Sequence, residues 1–145
     1  PTELLDETGD FLRTEGAEFG STTGRPRRCG WIDIPQLKYT IMLNGVTEIC
    51  LTKIDVLNKM PQISAATAYK YGGEMHSELP FDMANIEIVP GWHTMEGWQS
   101  ALDGVSEFGK MPAAAQEYIL FLEDQLGVPI RMVSTGPERE KLILR

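Results

Sequence analysis

The sequence predicts an α/β fold: a largely parallel sheet with flanking helices and an antiparallel strand excursion in its middle. Three observations predict it. A helix followed by a buried strand occurs twice, small polar motifs stand at the carboxyl ends of both strands, and the stretch between them alternates residue types between turn signals. The 145 residues, 42% of them hydrophobic, suffice for one globular domain with a core and leave no room for two independent ones.

In chain order, the first thirty residues are rich in Gly, Thr and charge, as in Thr8-Gly9-Asp10, Glu15-Gly16 and Gly20-Ser21-Thr22-Thr23-Gly24, and predict a loop-rich, strand-poor lead-in. Asp33 as a cap, Pro35 early and Asn44-Gly45 at the end bracket one helix, its face and end marked by Leu37, Ile41 and Asn44. Glu48 to Lys53 reads as a short buried strand running into Ile54-Asp55-Val56-Leu57. Between about residues 62 and 92, Ile63 to Tyr71 stops at Gly72-Gly73 and Ile86-Glu87-Ile88-Val89 stops at Pro90-Gly91, which predicts an antiparallel meander. Pro112 to Leu126 is a helix ended by Gly127, with Ala115, Ile119, Leu122 and Leu126 on one face. Val128 to Val133 follows as a strand that delivers Ser134-Thr135-Gly136-Pro137, and Leu142-Ile143-Leu144 is a final short strand.

Charge narrows the function classes. Thirteen Lys and Arg against 21 Asp and Glu give a net charge of −8, so neither nucleic acid nor a membrane surface is an expected partner. No apolar run approaches the roughly 20 residues of a membrane span, and the first residues lack the basic and apolar regions of a secretory signal. A cytoplasmic protein is expected, with Cys29 and Cys50 as thiols. His76 and His93 lack ligand spacing and any visible nucleophile, so they receive neither a metal nor a catalytic role. Trp31, Trp92 and Trp98 are read as core or interface residues. The polar opening without an initiator Met reads as a piece of something longer.

Against the acidic background, Arg25, Arg27 and Arg28 cluster within a Gly/Thr loop. Arginine forks grip carboxylate or phosphate through paired hydrogen bonds, and Pro26 limits the loop's freedom, so Gly20 to Arg28 suits a small anion. The same residues equally describe a solvated loop balanced by Glu15 and Glu18. A second constellation is Thr52-Lys53-Ile54-Asp55. A carboxylate at a strand end can accept from the ring N–H and exocyclic amine of guanine, and this block differs from the N-K-x-D of GTP-binding proteins only by Thr for Asn. Its alternative is a helix-capping Asp. The third is Ser134-Thr135-Gly136-Pro137, where a hydroxyl and free N–H groups can donate to guanine O6, or which is simply a turn. In open α/β sheets ligands bind beyond the carboxyl ends of strands, where the second and third constellations lie. No G-x-x-x-x-G-K phosphate loop occurs.

Taken in order, Glu18 through Asp33 (E-F-G-S-T-T-G-R-P-R-R-C-G-W-I-D), Leu51 through Leu57 (L-T-K-I-D-V-L), Gly127-Val128-Pro129-Ile130 and Ser134 through Arg139 resemble the C-terminal part of adenylosuccinate synthetase. The resemblance covers nearly the whole chain and implies part of a P-loop-GTPase-like α/β domain. It implies a ligase of AMP biosynthesis that joins L-aspartate to inosine monophosphate (IMP) with GTP hydrolysis, by phosphorylating the base's 6-oxygen and displacing that phosphate with the aspartate amine. Ser21, Thr22, Thr23, Gly24, Arg25, Pro26 and Arg27 would form the aspartate loop, within about 18–30, with Thr23, Arg25 and Arg27 gripping the carboxylates. Arg25 would also approach IMP. Arg27 would approach GTP, whose guanine Lys53, Ile54, Asp55, Ser134, Thr135 and Gly136 would hold, in loops at about 52–56 and 134–137. Pro26 replaces a third basic residue of many relatives. Mg2+ would serve the whole enzyme, a cytoplasmic homodimer. The phosphate loop, catalytic base and acid, and metal ligands belong to a region these residues lack, so the chain alone is expected to be inactive. A stand-alone GTP-binding or regulatory module, or an anion-dependent scaffold, are the competing readings.

Overall fold

A computed structural model describes residues 1–145. The chain forms two compact units, each assembled from two separated stretches: residues 1–36 with 64–93, and residues 37–63 with 94–145. Each unit is interrupted in sequence by the other.

The first unit begins with a helix that the composition concealed. α1 spans Glu7–Glu15; the Asp6 side chain caps it by accepting from the Gly9 N–H at 3.0 Å, and Glu7 and Asp10 lie in its first turn, where the helix dipole favours acids. Thr8-Gly9-Asp10 is therefore helical and the lead-in is not all loop. Gly9 is tolerated inside the helix because a Cβ there would lie 2.1 Å from the Leu4 carbonyl oxygen, so backbone occupies the space of a side chain. The unit's sheet contains β1 (Ile32–Asp33), β3 (Gln62–Tyr71, which starts in the other unit's stretch), β4 (Glu74–His76) and β5 (Val89–Glu96). β1 runs parallel to β3, β4 returns antiparallel across Gly72-Gly73, and β5 also pairs with β3. Ala65, Ala66 and Tyr69 of β3 are fully buried. The Tyr69 hydroxyl donates to Asp33 Oδ1, which also accepts the Gln36 N–H at 3.1 Å as the cap of α2 (Ile34–Asn44). Burial, followed by this hydrogen bond and the Asp33 charge, pushes the Tyr69 phenol far above its ordinary pKa.

Two sequence expectations change here. Ile86–Ile88 is not strand, and Pro90-Gly91 lies inside β5 and does not end it. Proline is compatible with the start of a strand, where its missing N–H costs no ladder bond. On α2 only Ile34 and Pro35 are buried; Leu37 and Ile41 are half-buried, and Asn44 is exposed and donates to the Thr40 carbonyl.

The second unit carries β2 (Ile49–Leu51), α3 (Ala113–Leu126), β6 (Ile130–Ser134) and β7 (Leu142–Leu144). β2 lies parallel to β6, and β7 antiparallel to β6. The two sheets of the chain are thus mixed and not largely parallel: each contains a parallel pair, and β4 and β7 add antiparallel neighbours. α3 buries Ala115, Tyr118, Ile119, Leu122 and Leu126, a face at helical spacing, and each large apolar side chain contributes about 1.5–3 kcal/mol of burial. Gly127 ends α3 at φ 71°, donating to the Glu123 carbonyl. Ile63, Trp98, Leu102 and Met111 are also buried, and the Trp98 indole donates to Asn58 Oδ1 at 2.8 Å. Trp92, by contrast, is 43% exposed. No helix is long and apolar enough to cross a membrane.

The carboxylate of Glu123 ties α3 to β6. It accepts the Ile130 N–H at 2.7 Å and the Arg145 guanidinium at 2.9 Å, while Arg145 also lies over the Phe108 ring. Burial pushes the Glu123 carboxyl up, but the hydrogen bonds from Arg145 and Ile130, with the Arg145 and Arg131 charges, hold it below its ordinary range. A carboxylate depressed in the folded state stabilises above its unfolded pKa, and that contribution is lost as pH falls through the folded pKa. Glu123→Gln is expected to cost roughly 1–2 kcal/mol at neutral pH and to flatten the acid limb of a stability profile, measured by urea unfolding between neutral and acid pH. Gly9→Ala is expected to destabilise by about 1–3 kcal/mol in the same assay, where an unobstructed helix site would gain about 1 kcal/mol.

Candidate functional site

The second unit builds a site from the parallel pair β2 and β6. Leu51 is in register with Val133, so Thr52-Lys53-Ile54-Asp55 and Ser134-Thr135-Gly136 leave the sheet side by side at its carboxyl edge. This is where open α/β sheets bind ligands. Lys53 takes φ 59°, a left-handed turn that redirects the chain into a short 3-10 helix over Ile54–Leu57, where a continuing strand was expected. Ile54 drops into the core at 2% exposure. Lys53 is exposed, while Asp55 is half-buried and its Oδ1 is buried with no hydrogen-bond partner. Leaving such an oxygen unsatisfied costs on the order of 1–3 kcal/mol, which a ligand bringing N–H donors offsets.

The Ser134–Gly136 turn is arranged differently from the expectation that its hydroxyls face a base. Ser134 Oγ donates to the Gly136 carbonyl at 2.8 Å. Thr135 is buried at 3% exposure and donates both its N–H, at 2.9 Å, and its hydroxyl, at 3.2 Å, to the Lys141 carbonyl. The two hydroxyl protons and the Thr135 N–H thus hold the turn itself. The half-buried Gly136 stays slim against Lys141, whose Cδ would be 3.0 Å from a Cβ there.

In the first unit, residues 18–28 form a hairpin-like loop. Phe19 bridges Pro26, the Arg27 N–H donates to the Glu18 carbonyl at 3.0 Å, the Gly20 N–H to the Arg25 carbonyl at 2.8 Å, and Gly24 turns the tip at φ 65°. Thr23 Oγ1 accepts the Arg25 N–H at 3.4 Å. Ser21, Thr22, Thr23, Gly24, Arg25, Pro26 and Arg27 are all exposed. The Arg27 guanidinium pairs with Glu18 at 3.0 Å, and Arg28 reaches Glu3 at 3.7 Å, whereas Arg25 has no acidic partner. Arg13 steadies the base of the loop by donating to the Arg27 carbonyl at 2.9 Å. Glu18 thus occupies Arg27 as the solvated-loop reading anticipated, in an exposed pair worth about 0–1 kcal/mol that an incoming carboxylate can replace. The loop and the sheet-edge site lie in different units. No group of three or more His, Cys, Asp or Glu side chains converges to hold a metal ion.

The family model of adenylosuccinate synthetase matches residues 1–143. The chain belongs to the adenylosuccinate synthetase family. It is 44% identical over its whole length to an adenylosuccinate synthetase of Cytophaga hutchinsonii and 47% identical to one of Coxiella burnetii. It spans 34% of the length of each, about a third of the relatives it matches. Among solved structures, that of a fully ligated adenylosuccinate synthetase from Plasmodium falciparum is similar with a TM-score of 0.92 at 37% identity, covering 99% of this chain and 35% of that one. Membership of the family thus rests on nearly the whole chain, and the mixed α/β fold is shared with that structure.

Proposed function

We propose that this chain is the C-terminal portion of a GTP-dependent carbon–nitrogen ligase that joins L-aspartate to IMP, forming adenylosuccinate, GDP and phosphate in AMP biosynthesis. The observation that carries the reading is the buried, unpartnered Asp55 oxygen at the carboxyl edge of two parallel strands. Guanine presents a ring N–H and an exocyclic amine on one edge, two donors that a carboxylate accepts together, whereas adenine does not. The Lys53 stem covers the base, and Ser134, Thr135 and Gly136 complete the pocket.

The aspartate loop is the exposed hairpin at about 18–30, within a single P-loop-GTPase-like domain of the whole enzyme that also carries the guanine loops at about 52–56 and 134–137. Thr23, Arg25 and Arg27 grip the two carboxylates of aspartate, Arg25 approaches IMP and Arg27 approaches GTP. The exchange of Glu18 for a substrate carboxylate lets Arg27 bind without leaving its charge unpaired in the open loop. When bound, magnesium neutralises GTP phosphate charge, with ligands that lie outside this chain. The whole enzyme is a cytoplasmic homodimer, and with no phosphate loop among its residues the isolated chain is inactive; turnover of IMP and aspartate by it would refute this.

Two substitutions in the intact enzyme test the assignments. Asp55→Asn places an amide donor against guanine's donors, so the KM for GTP is expected to rise by about 30-fold or more, equivalent to roughly 2 kcal/mol, and preference for GTP over ATP to collapse. An unchanged preference would sink the guanine site, and the stand-alone GTP-binding module with it. Arg27→Ala is expected to weaken aspartate by roughly 2–5 kcal/mol in kcat/KM while thermal stability stays within about 1 kcal/mol, because the Glu18 pair is exposed. A lower Tm with unchanged aspartate kinetics would show that the loop serves folding instead.

A further inference from the structure

Arg13 lies outside every motif that drew attention in the sequence, yet it fastens both limbs of the 18–28 loop to the end of α1. Its main-chain carbonyl accepts the Glu18 N–H at 2.8 Å, and its Nε donates to the Arg27 carbonyl at 2.9 Å. The first bond belongs to the way the helix stops. Ala17 takes φ 49° and donates to the Thr14 carbonyl at 3.1 Å, so the chain reverses through a left-handed residue and brings Glu18 back to Arg13. That conformation is unfavourable for a residue with a Cβ, and here the paired hydrogen bonds hold it. The second bond is oriented by Asp10, one helical turn earlier, which accepts from Arg13 Nη1 at 2.5 Å. Arg27 is consequently held on both sides of its Cα: its N–H donates to the Glu18 carbonyl at 3.0 Å, and its carbonyl accepts from Arg13.

We propose that Arg13 is a positioning residue of the aspartate loop: by holding the Arg27 carbonyl it sets the direction in which the Arg27 side chain leaves the loop toward a substrate carboxylate. The proposal rests on the reading of this loop as the aspartate site. The physical need follows from exposure. The Arg27 side chain is 59% exposed, and its pair with Glu18 at 3.0 Å is of the kind that barely restrains a long side chain in water. Its aim is therefore fixed from the main chain. A limb already tied to a helix loses less freedom when ligand binds than a limb that must first be ordered. Arg13 is suited to this task because its own side chain is only 19% exposed and is held by Asp10. The group that acts is the directed donor at Nε, and the charge serves to orient it.

The test uses the intact enzyme with two variants of matched length. Arg13→Gln keeps an N–H donor at the position of Nε, whereas Arg13→Met places a methyl group there. Both lose the charge that pairs with Asp10, so a change in Tm common to the two is separated from the readout. Arg13→Met is expected to lower kcat/KM for aspartate by about three- to tenfold, the scale of one hydrogen bond, with the preference for GTP over ATP unchanged. Arg13→Gln is expected to keep kcat/KM for aspartate within about twofold of the native value. In the Arg27→Ala background Arg13→Met is expected to add less than about twofold, because Arg13 acts through Arg27. Gly9→Ala, which strains the same helix without touching the Arg13 side chain, is expected to leave aspartate kinetics unchanged. Equal losses in the Gln and Met variants, effects that multiply with Arg27→Ala, or a matching loss in Gly9→Ala would each overturn the proposal. If Arg27→Ala weakens aspartate but Arg13→Met does not, only the role of Arg13 falls; if Arg27→Ala leaves aspartate kinetics unchanged, the aspartate-loop reading itself falls.

Discussion

The parallel pairing of β2 with β6 is the constraint on which the sheet-edge site depends. Residues some eighty positions apart in sequence must meet in one register, Leu51 opposite Val133, for the two loops to emerge together. A slip of one residue would turn Ile54 out of the core and Asp55 away from the turn. Much of the second unit serves this register. α3 buries five side chains along one face, Gly127 turns the chain back, and Glu123 catches the N–H of Ile130 as β6 begins. β7 then covers β6 on the antiparallel side and brings Lys141 to the turn.

The site and the loop hold back different kinds of binding capacity. At the sheet edge a carboxylate oxygen is buried without a partner, a local cost that donors from a ligand relieve. In the loop the reverse holds: Arg27 is already matched to Glu18, but in water, where exchange for another carboxylate is nearly neutral. In the proposed reading, burial favours selectivity at the first site, and exposure favours ready exchange at the second. The exposed Arg27–Glu18 pair contributes little to folding.

The well-bounded elements were legible in the sequence. Asp33 and Gly45 bracket α2, and Pro112 and Gly127 bracket α3, because caps and breakers act through local backbone geometry. The loop motifs were legible too, since T-T-G-R-P-R-R and L-T-K-I-D-V-L are contiguous. α1 was not: Gly9 within Thr8-Gly9-Asp10 signals a turn locally and is tolerated in a helix because the Leu4 carbonyl packs against it. Pro90-Gly91 misled in the same way, as did the expectation of mostly parallel sheets, since strand direction follows from pairings that no local pattern encodes.

Sequence by itself singled out the residues proposed for the chemistry: the arginines of the loop, Asp55 at a strand end, and a small polar turn after β6. These follow from side-chain type and adjacent spacing, which the chain carries at any conformation. Only the tertiary structure decided how those groups are presented. It turned the Ser134 and Thr135 hydroxyls inward to hold their own turn, left Asp55 Oδ1 buried and waiting, and placed Lys141 against Gly136. The reason is that hydrogen-bond partners and burial are set by atoms distant in sequence, and the competition among those partners is resolved only when the strands pair.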